Sequence, residues 1–172
     1  ARAAALLKEA GYDGTPLVLL QPSDLAILAN LAPVAKQQLE RAGFKVDVQA
    51  MDWQTLIGRL VKPVPASEGG WNGFMTAWAQ VDILDPVMMA YLISTCDKAR
   101  PGWPCDKDME KLRDDFARAG SLEERRKIAE AAQVLNAQVV TQIPLGEFRN
   151  VTAVRAGVST LPNPPMVTAF WG

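Results

Sequence analysis

Two short apolar runs separated by a single helical stretch constrain this chain more than any other feature. PLVLLQ, residues 16–21, follows the turn YDGT and is apolar at nearly every position, the pattern of a strand buried on both faces. FKVDVQ, residues 44–49, instead alternates Phe44, Val46 and Val48 with polar neighbours, the pattern of a strand with one face covered. Between them Leu28, Leu31, Ala35, Leu39 and Ala42 recur at helical spacing from Asp24, read as the N-cap, to Gly43. Pro33 either starts the regular part of that helix or kinks it.

The alternation continues on both sides. Ala3, Leu6, Leu7 and Ala10 share one face of an opening helix that Gly11 ends in a left-handed turn. Asp52 caps a short helix carrying Trp53, Leu56, Ile57 and Leu60, and KPVPASEGG reads as an exposed loop. WNGFMTAW, residues 71–78, is expected to be a third strand, and PVMMAYLIS a short helix with Pro86 at its first position. Asp106 caps a helix with Met109, Leu112 and Phe116 on one face. A further helix opens with Ser121 and Glu124 in capping-box spacing and turns Ile128, Leu135 and Val139 inward. The end, from IPLGEF through VTAVRAGV to NPPMVTAFWG, reads as two short strands and a proline-rich exit. The expected fold is α/β, a mostly parallel sheet flanked by helices. In open sheets of that kind ligands sit outside the carboxyl ends of the strands, and the loop after WNGFMTAW is such an end.

With 172 residues and 49% hydrophobic content the chain can bury one core, and a single domain is expected over 1–172. Eighteen basic and nineteen acidic residues leave a charge of −1 with no basic stripe, which sets nucleic acid aside as a partner. No apolar run has a membrane-spanning length, and the opening ARAAALLKEAGYDG has no signal-peptide pattern. It starts inside a helix, without an initiator Met, so the chain is expected to be a piece of a longer one. Histidine is absent, which removes the Ser/His/Asp and Cys/His nucleophile systems and every imidazole zinc site. We therefore expect no catalytic residue, no metal ligand and no cofactor. A carboxylate-dependent enzyme and a stand-alone interaction module are the rival readings; the first needs two converging acids, the second an exposed apolar patch.

Cys96 and Cys105 are the only cysteines, and Pro101, Gly102 and Pro104 bend the chain between them. The spacing suits a disulfide across a short loop, the alternative being one buried and one exposed free thiol. Such a bond places the protein in an oxidising compartment, periplasm or cell exterior.

TAWAQVDILDPVMMAY, residues 76–91, sets two acids in an otherwise apolar loop. Asp85 precedes a proline and the expected helix, where a carboxylate accepts from free amides. Asp82 has no such local explanation.

Several stretches taken in order, AALLKEAGYDG, QQLERAGFKVDVQAMDW, WAQVDILDP, DMEKL, ERRKIAEAAQVLNAQV with IPL, and the closing AFWG, resemble family 5 extracellular solute-binding proteins, the dipeptide and oligopeptide receptors of ABC importers. The cysteine loop before DMEKL resembles that of the dipeptide-binding branch. The resemblance implies one lobe of a two-lobed periplasmic binding protein, the C-terminal lobe, with 1–148 as its core and 149–172 crossing toward an N-terminal lobe outside this chain. It implies a peptide or similar small solute as ligand, an inner-membrane ABC permease as partner, and a periplasmic or extracellular location. It also implies that an acid at about the place of Asp82 holds the solute's ammonium group, although Trp78 and Asp82 are separated here by one residue more than in the dipeptide binders. Trp78 and Trp71 are candidate solute contacts or core residues. Arg149 pairs with a solute carboxylate, forms a salt bridge or is solvated. Closure on a solute needs contacts from both lobes, so this chain alone is expected to bind weakly.

Overall fold

The computed structural model describes residues 2–149. The chain divides into two compact units, with the boundary between Ala77 and Trp78.

The first unit is built on a parallel three-stranded sheet of order β2-β1-β3, with β1 Leu17–Pro22, β2 Val46–Met51 and β3 Gly73–Phe74. The central strand β1 is apolar along its length because both its faces are covered. Val18 and Leu20 pack on one side against Leu56 and Leu60, with Trp53, Trp71 and Phe74 around them. Leu19 packs on the other side with Ala32, Val46 and Met75, bordered by Leu31, Ala35, Leu39 and Phe44. β2 alternates because it is an edge: Val46 is buried while Asp47 is exposed.

The crossover from β1 to β2 consists of two helices, α2 Ala26–Ala29 and α3 Leu31–Ala42, rather than the single helix expected. Asp24 caps neither. Its Oδ1 accepts from the Trp53 amide at 2.9 Å, on a helix 29 residues away, and the residue before α2 is Leu25, without a side-chain cap. Pro33 lies in the first turn of α3, where its missing N–H costs nothing. Gly43 ends α3 at φ +111°, in the left-handed region. The opening helix α1, Arg2–Glu9, stops at Gly11 with φ +69°, and the Tyr12 amide closes back on the Leu7 carbonyl.

β2 leads into α4, Trp53–Leu60, whose N-cap is Asp52, accepting from the Thr55 amide at 3.0 Å and from its hydroxyl at 2.6 Å. Leu56 and Leu60 are buried, whereas Ile57 faces outward. Arg59 then ties down the KPVPASEGG loop by donating to the Gly69 and Gly70 carbonyls, each at 2.8 Å. The third strand is only two residues of the eight expected. Asn72 explains its start: its side-chain Oδ1 accepts from the Val18 amide and its own amide donates to the Val18 carbonyl, so a side chain takes one place in the ladder.

The second unit is helical and looped. α5, Lys107–Arg118, and α6, Leu122–Val139, are joined by three residues and pack against each other. Leu92, Met109 and Ala132 form its buried cluster, with Met89, Leu112 and Leu135 against it. Asp106 caps α5 through the Met109 amide. Ser121 caps α6 through the Glu124 amide, but the reciprocal arm reaches one residue further back, Glu124 accepting from Gly120 rather than from Ser121. Val139, expected inward, is exposed at the last turn. IPLGEF forms no strand; the remainder of the expected exit, residues 150–172, lies outside the described residues.

PVMMAYLIS is not an α-helix. Asp85 and Pro86 open a single turn, closed by the Met89 amide on the Asp85 carbonyl, and a 3-10 turn follows at Ala90–Leu92.

Candidate functional site

The loop that opens the second unit carries the residues of chemical interest. Asp82 ends a 3-10 turn, Gln80–Asp82, that starts two residues after Trp78. Its amide donates to the Ala79 carbonyl at 3.0 Å. Its side chain is half-buried, and among the described residues the carboxylate has no hydrogen bond or ion pair. Asp85 is the opposite case. Its Oδ1 accepts from the Val87 amide at 2.8 Å and the Met88 amide at 2.9 Å, so its charge is held by the backbone of the turn it opens.

That turn is fastened from α5. Arg113 donates through Nε to the Pro86 carbonyl at 3.0 Å and through Nη2 to the Val87 carbonyl at 3.3 Å. Its Nη1 pairs with both Glu110 oxygens at 2.8 and 2.9 Å, and Glu110 Oε1 also accepts from the Ser94 amide at 2.6 Å. The Arg113 side chain is 14% exposed, so this ion pair and its carbonyl contacts are poorly screened by water. Sequence reasoning did not single out either residue. Glu110 and Arg113 at i,i+3 were legible as a helix pair, but their reach to residues 86, 87 and 94 was not.

Trp78 sits in an aromatic and cationic stack. Its ring meets Tyr91 edge to face, with centroids 5.6 Å apart, and the Arg100 guanidinium lies 4.8 Å from the ring centroid. Its indole Nε1–H is buried and has no hydrogen-bond partner among the described residues. Arg100 belongs to the loop closed by a disulfide between Cys96 and Cys105. An antiparallel bridge between Thr95 and Cys105 and the bond from the Cys96 amide to the Pro104 carbonyl set the base of that loop. Its tip turns at Gly102, φ +105°, with the Trp103 amide on the Arg100 carbonyl.

The other candidates stand apart from this stack. Trp71 is in the core of the first unit, edge to face with Phe74 at 5.2 Å, and its indole N–H donates to the Leu60 carbonyl at 3.2 Å. Arg149 is exposed at the last described position. Among the described residues no group of three or more Cys, Asp and Glu side chains is arranged to hold a metal ion, and no helix is long and apolar enough to cross a membrane.

The arrangement suits recognition by charge and stacking. A half-buried carboxylate without a partner attracts a cation, and a cation stacked on an indole keeps its own donors free for an anion.

Residues 1–100 match the model of the bacterial extracellular solute-binding proteins, family 5 Middle. The chain is 32% identical over 146 residues to a probable peptide ABC transporter periplasmic-binding protein of Sinorhizobium fredii (strain NBRC 101917 / NGR234), covering 85% of this chain and 28% of that protein. It is 30% identical over 153 residues to a di/tripeptide-binding protein of Pseudomonas aeruginosa (strain UCBPP-PA14), covering 84% of this chain and 27% of that one. Its fold is that of the ABC transporter substrate-binding protein CtaP of Listeria monocytogenes, with a TM-score of 0.64 at 20% identity over 81% of this chain and 28% of that chain. The chain thus spans little more than a quarter of the length of these relatives.

Proposed function

The chain belongs to the bacterial extracellular solute-binding proteins of family 5, and from that premise we propose that it forms part of the receptor of an ABC importer, taking up a peptide or similar small solute at the Asp82 loop. The observation that carries the reading is the Asp82 carboxylate itself, half-buried and without a partner among the described residues. Taking such a charge partly out of water is costly unless a cation meets it, and the α-ammonium of a peptide is a cation of fitting size.

In this reading Asp82 accepts from the ammonium group, and Asp85 and Arg113 hold the loop that presents it. The mechanism is binding and closure without covalent chemistry. A second lobe, supplied by sequence beyond these 172 residues, closes over the solute, and the closed form is what an inner-membrane ABC permease engages at the outer face of the membrane. The disulfide is in keeping with such an oxidising location. Closure follows only if the solute touches the closed state more favourably than the open one, which an ammonium bridged between lobes achieves.

Calorimetry on the full-length gene product tests this, using dipeptides and their N-acetylated forms. Asp82→Asn is expected to weaken dipeptide binding about tenfold or more, the loss of one charge-assisted hydrogen bond, and acetylation is expected to weaken wild-type binding to a similar degree. Unchanged affinity in the variant would remove Asp82 from the site.

A further inference from the structure

We infer that the Cys96–Cys105 disulfide is a redox-sensitive control on the Asp82 loop: closed, it holds that loop in its binding form, and reduction by a dithiol releases it. The inference rests on the solute-binding reading above for its effect on affinity, whereas the effect on the loop itself stands apart from that reading.

The disulfide loop grips the Asp82 segment at both ends. On the N-terminal side Arg100, between the two cysteines, lies 4.8 Å from the ring centroid of Trp78, which precedes the Gln80–Asp82 turn by two residues. On the C-terminal side the connection runs through side chains of α5. The Ser94 amide donates to Glu110 Oε1 at 2.6 Å, Glu110 pairs with Arg113, and Arg113 holds the Pro86 and Val87 carbonyls. Ser94 is 3% exposed and is held from its other end as well, its carbonyl accepting from the Asp106 amide at 3.1 Å. Ser94 and Asp106 lie directly outside the Thr95–Cys105 bridge, and the bond from the Cys96 amide to the Pro104 carbonyl lies directly inside it. The ladder that presents the Ser94 amide to Glu110 is therefore the one that the disulfide closes.

Backbone preference does not hold this ladder in place. Cys96 has φ +62° and Trp103 φ +45°, both in the left-handed region and neither a glycine. Residues with a Cβ are uncommon there and stay only where other contacts hold them. The covalent bond at Cys96 is the strongest of those contacts. Breaking it returns freedom to the ten-residue loop and lets both residues relax toward negative φ. Both cysteines are exposed, so the bond is open to a reductant.

The chemistry is thiol–disulfide exchange. One thiolate of the dithiol attacks a cysteine sulfur, the S–S bond breaks and a mixed disulfide forms, which the second thiolate of the reductant resolves. Cys96 and Cys105 end as thiols, having gained two electrons and two protons, and the reductant leaves as a disulfide.

The test uses the full-length gene product, oxidised and after reduction with dithiothreitol under native conditions. In the reduced protein, hydrogen exchange at the Val87, Met88 and Met89 amides is expected to speed up, and dipeptide affinity by calorimetry to fall about tenfold. Both should recover on reoxidation, and a variant with Cys96→Ser and Cys105→Ser should resemble the reduced form throughout. Glu110→Met cuts the connection at its middle, so its three amides should already exchange faster and respond little to dithiothreitol. A disulfide that survives native reduction, unchanged exchange at those amides, unchanged affinity in a protein that binds dipeptides, or acceleration spread evenly along α5 and α6 overturns the inference. If reduction speeds exchange at the three amides but neither form binds a dipeptide, the control on the loop stands and the solute-binding reading falls.

Discussion

At the scale of single residues, two glycines that look alike in the sequence differ in kind. Gly70 is buried, and a Cβ built on it would stand 1.9 Å from the Val64 carbonyl oxygen and 2.8 Å from that of Pro65. Both obstacles are backbone, so Gly70→Ala must displace the loop that Arg59 fastens. We expect a loss of about 3 kcal/mol, read as a lower urea midpoint. Gly58 lies inside α4 with nothing within 4 Å of its Cβ position. Gly58→Ala is expected to raise stability by about 0.5–1 kcal/mol through helix propensity. Charge provides another residue-scale test. The Asp52 carboxyl is held below its ordinary value of 3.8, first by the Thr55 hydroxyl and then by the Thr55 amide. Its contribution to stability is therefore complete above that value and is lost as pH falls through the lower folded value, because the unfolded chain takes up the proton first. From about pH 5 down to about pH 2 the wild type should lose more stability than Asp52→Asn, measured by urea unfolding at each pH. Equal slopes would show that the cap does not sense the proton. Caps of this kind were legible in the sequence, since Asp52, Asp106 and Ser121 each reach an amide three residues on. Asp24 was not, because its partner is the Trp53 amide across the sheet end.

At the scale of elements, hydrophobic period identified β1, β2, α3, α4, α5 and α6 within a few residues, and failed where pairing or tertiary anchoring outweighs period. β3 is short because Asn72 substitutes a side chain for ladder pairing at its start. The run after Asp85 contains enough helix formers for a helix, but its carbonyls at 86 and 87 are taken by Arg113, so the chain leaves after one turn. That anchor is testable. Arg113→Met keeps most of the aliphatic bulk and removes the donors, leaving Glu110 with only the Ser94 amide among these contacts. We expect a cost of about 2 kcal/mol and faster hydrogen exchange at the Val87, Met88 and Met89 amides, with α4 in the first unit unaffected. Exchange unchanged at those three amides would mean that the Asp85 carboxylate suffices to hold the turn.

At the scale of the whole molecule, the division at Ala77/Trp78 separates a sheet-bearing unit from a helical one. Trp71 and Trp78, seven residues apart, have unrelated surroundings, one in the core packed on β1 and the other edge to face with Tyr91 and under the Arg100 guanidinium. Each indole N–H reports its setting: that of Trp71 finds the Leu60 carbonyl, and that of Trp78 has no acceptor among the described residues. The sequence by itself determined the α/β class, the helix caps that act within three residues and the ordered stretches that mark the family. Each rests on near-neighbour periodicity or on residue types at fixed short spacing, which the chain carries whatever its tertiary contacts. Only the tertiary structure decided that Asp82 has no partner among the described residues while Asp85 has two amides, that Arg113 fastens the turn after Asp85, and that Arg100 lies over Trp78. Those outcomes depend on which side chains from distant positions arrive at one place, and a carboxylate or a guanidinium is chemically the same in sequence whether its partner arrives or not.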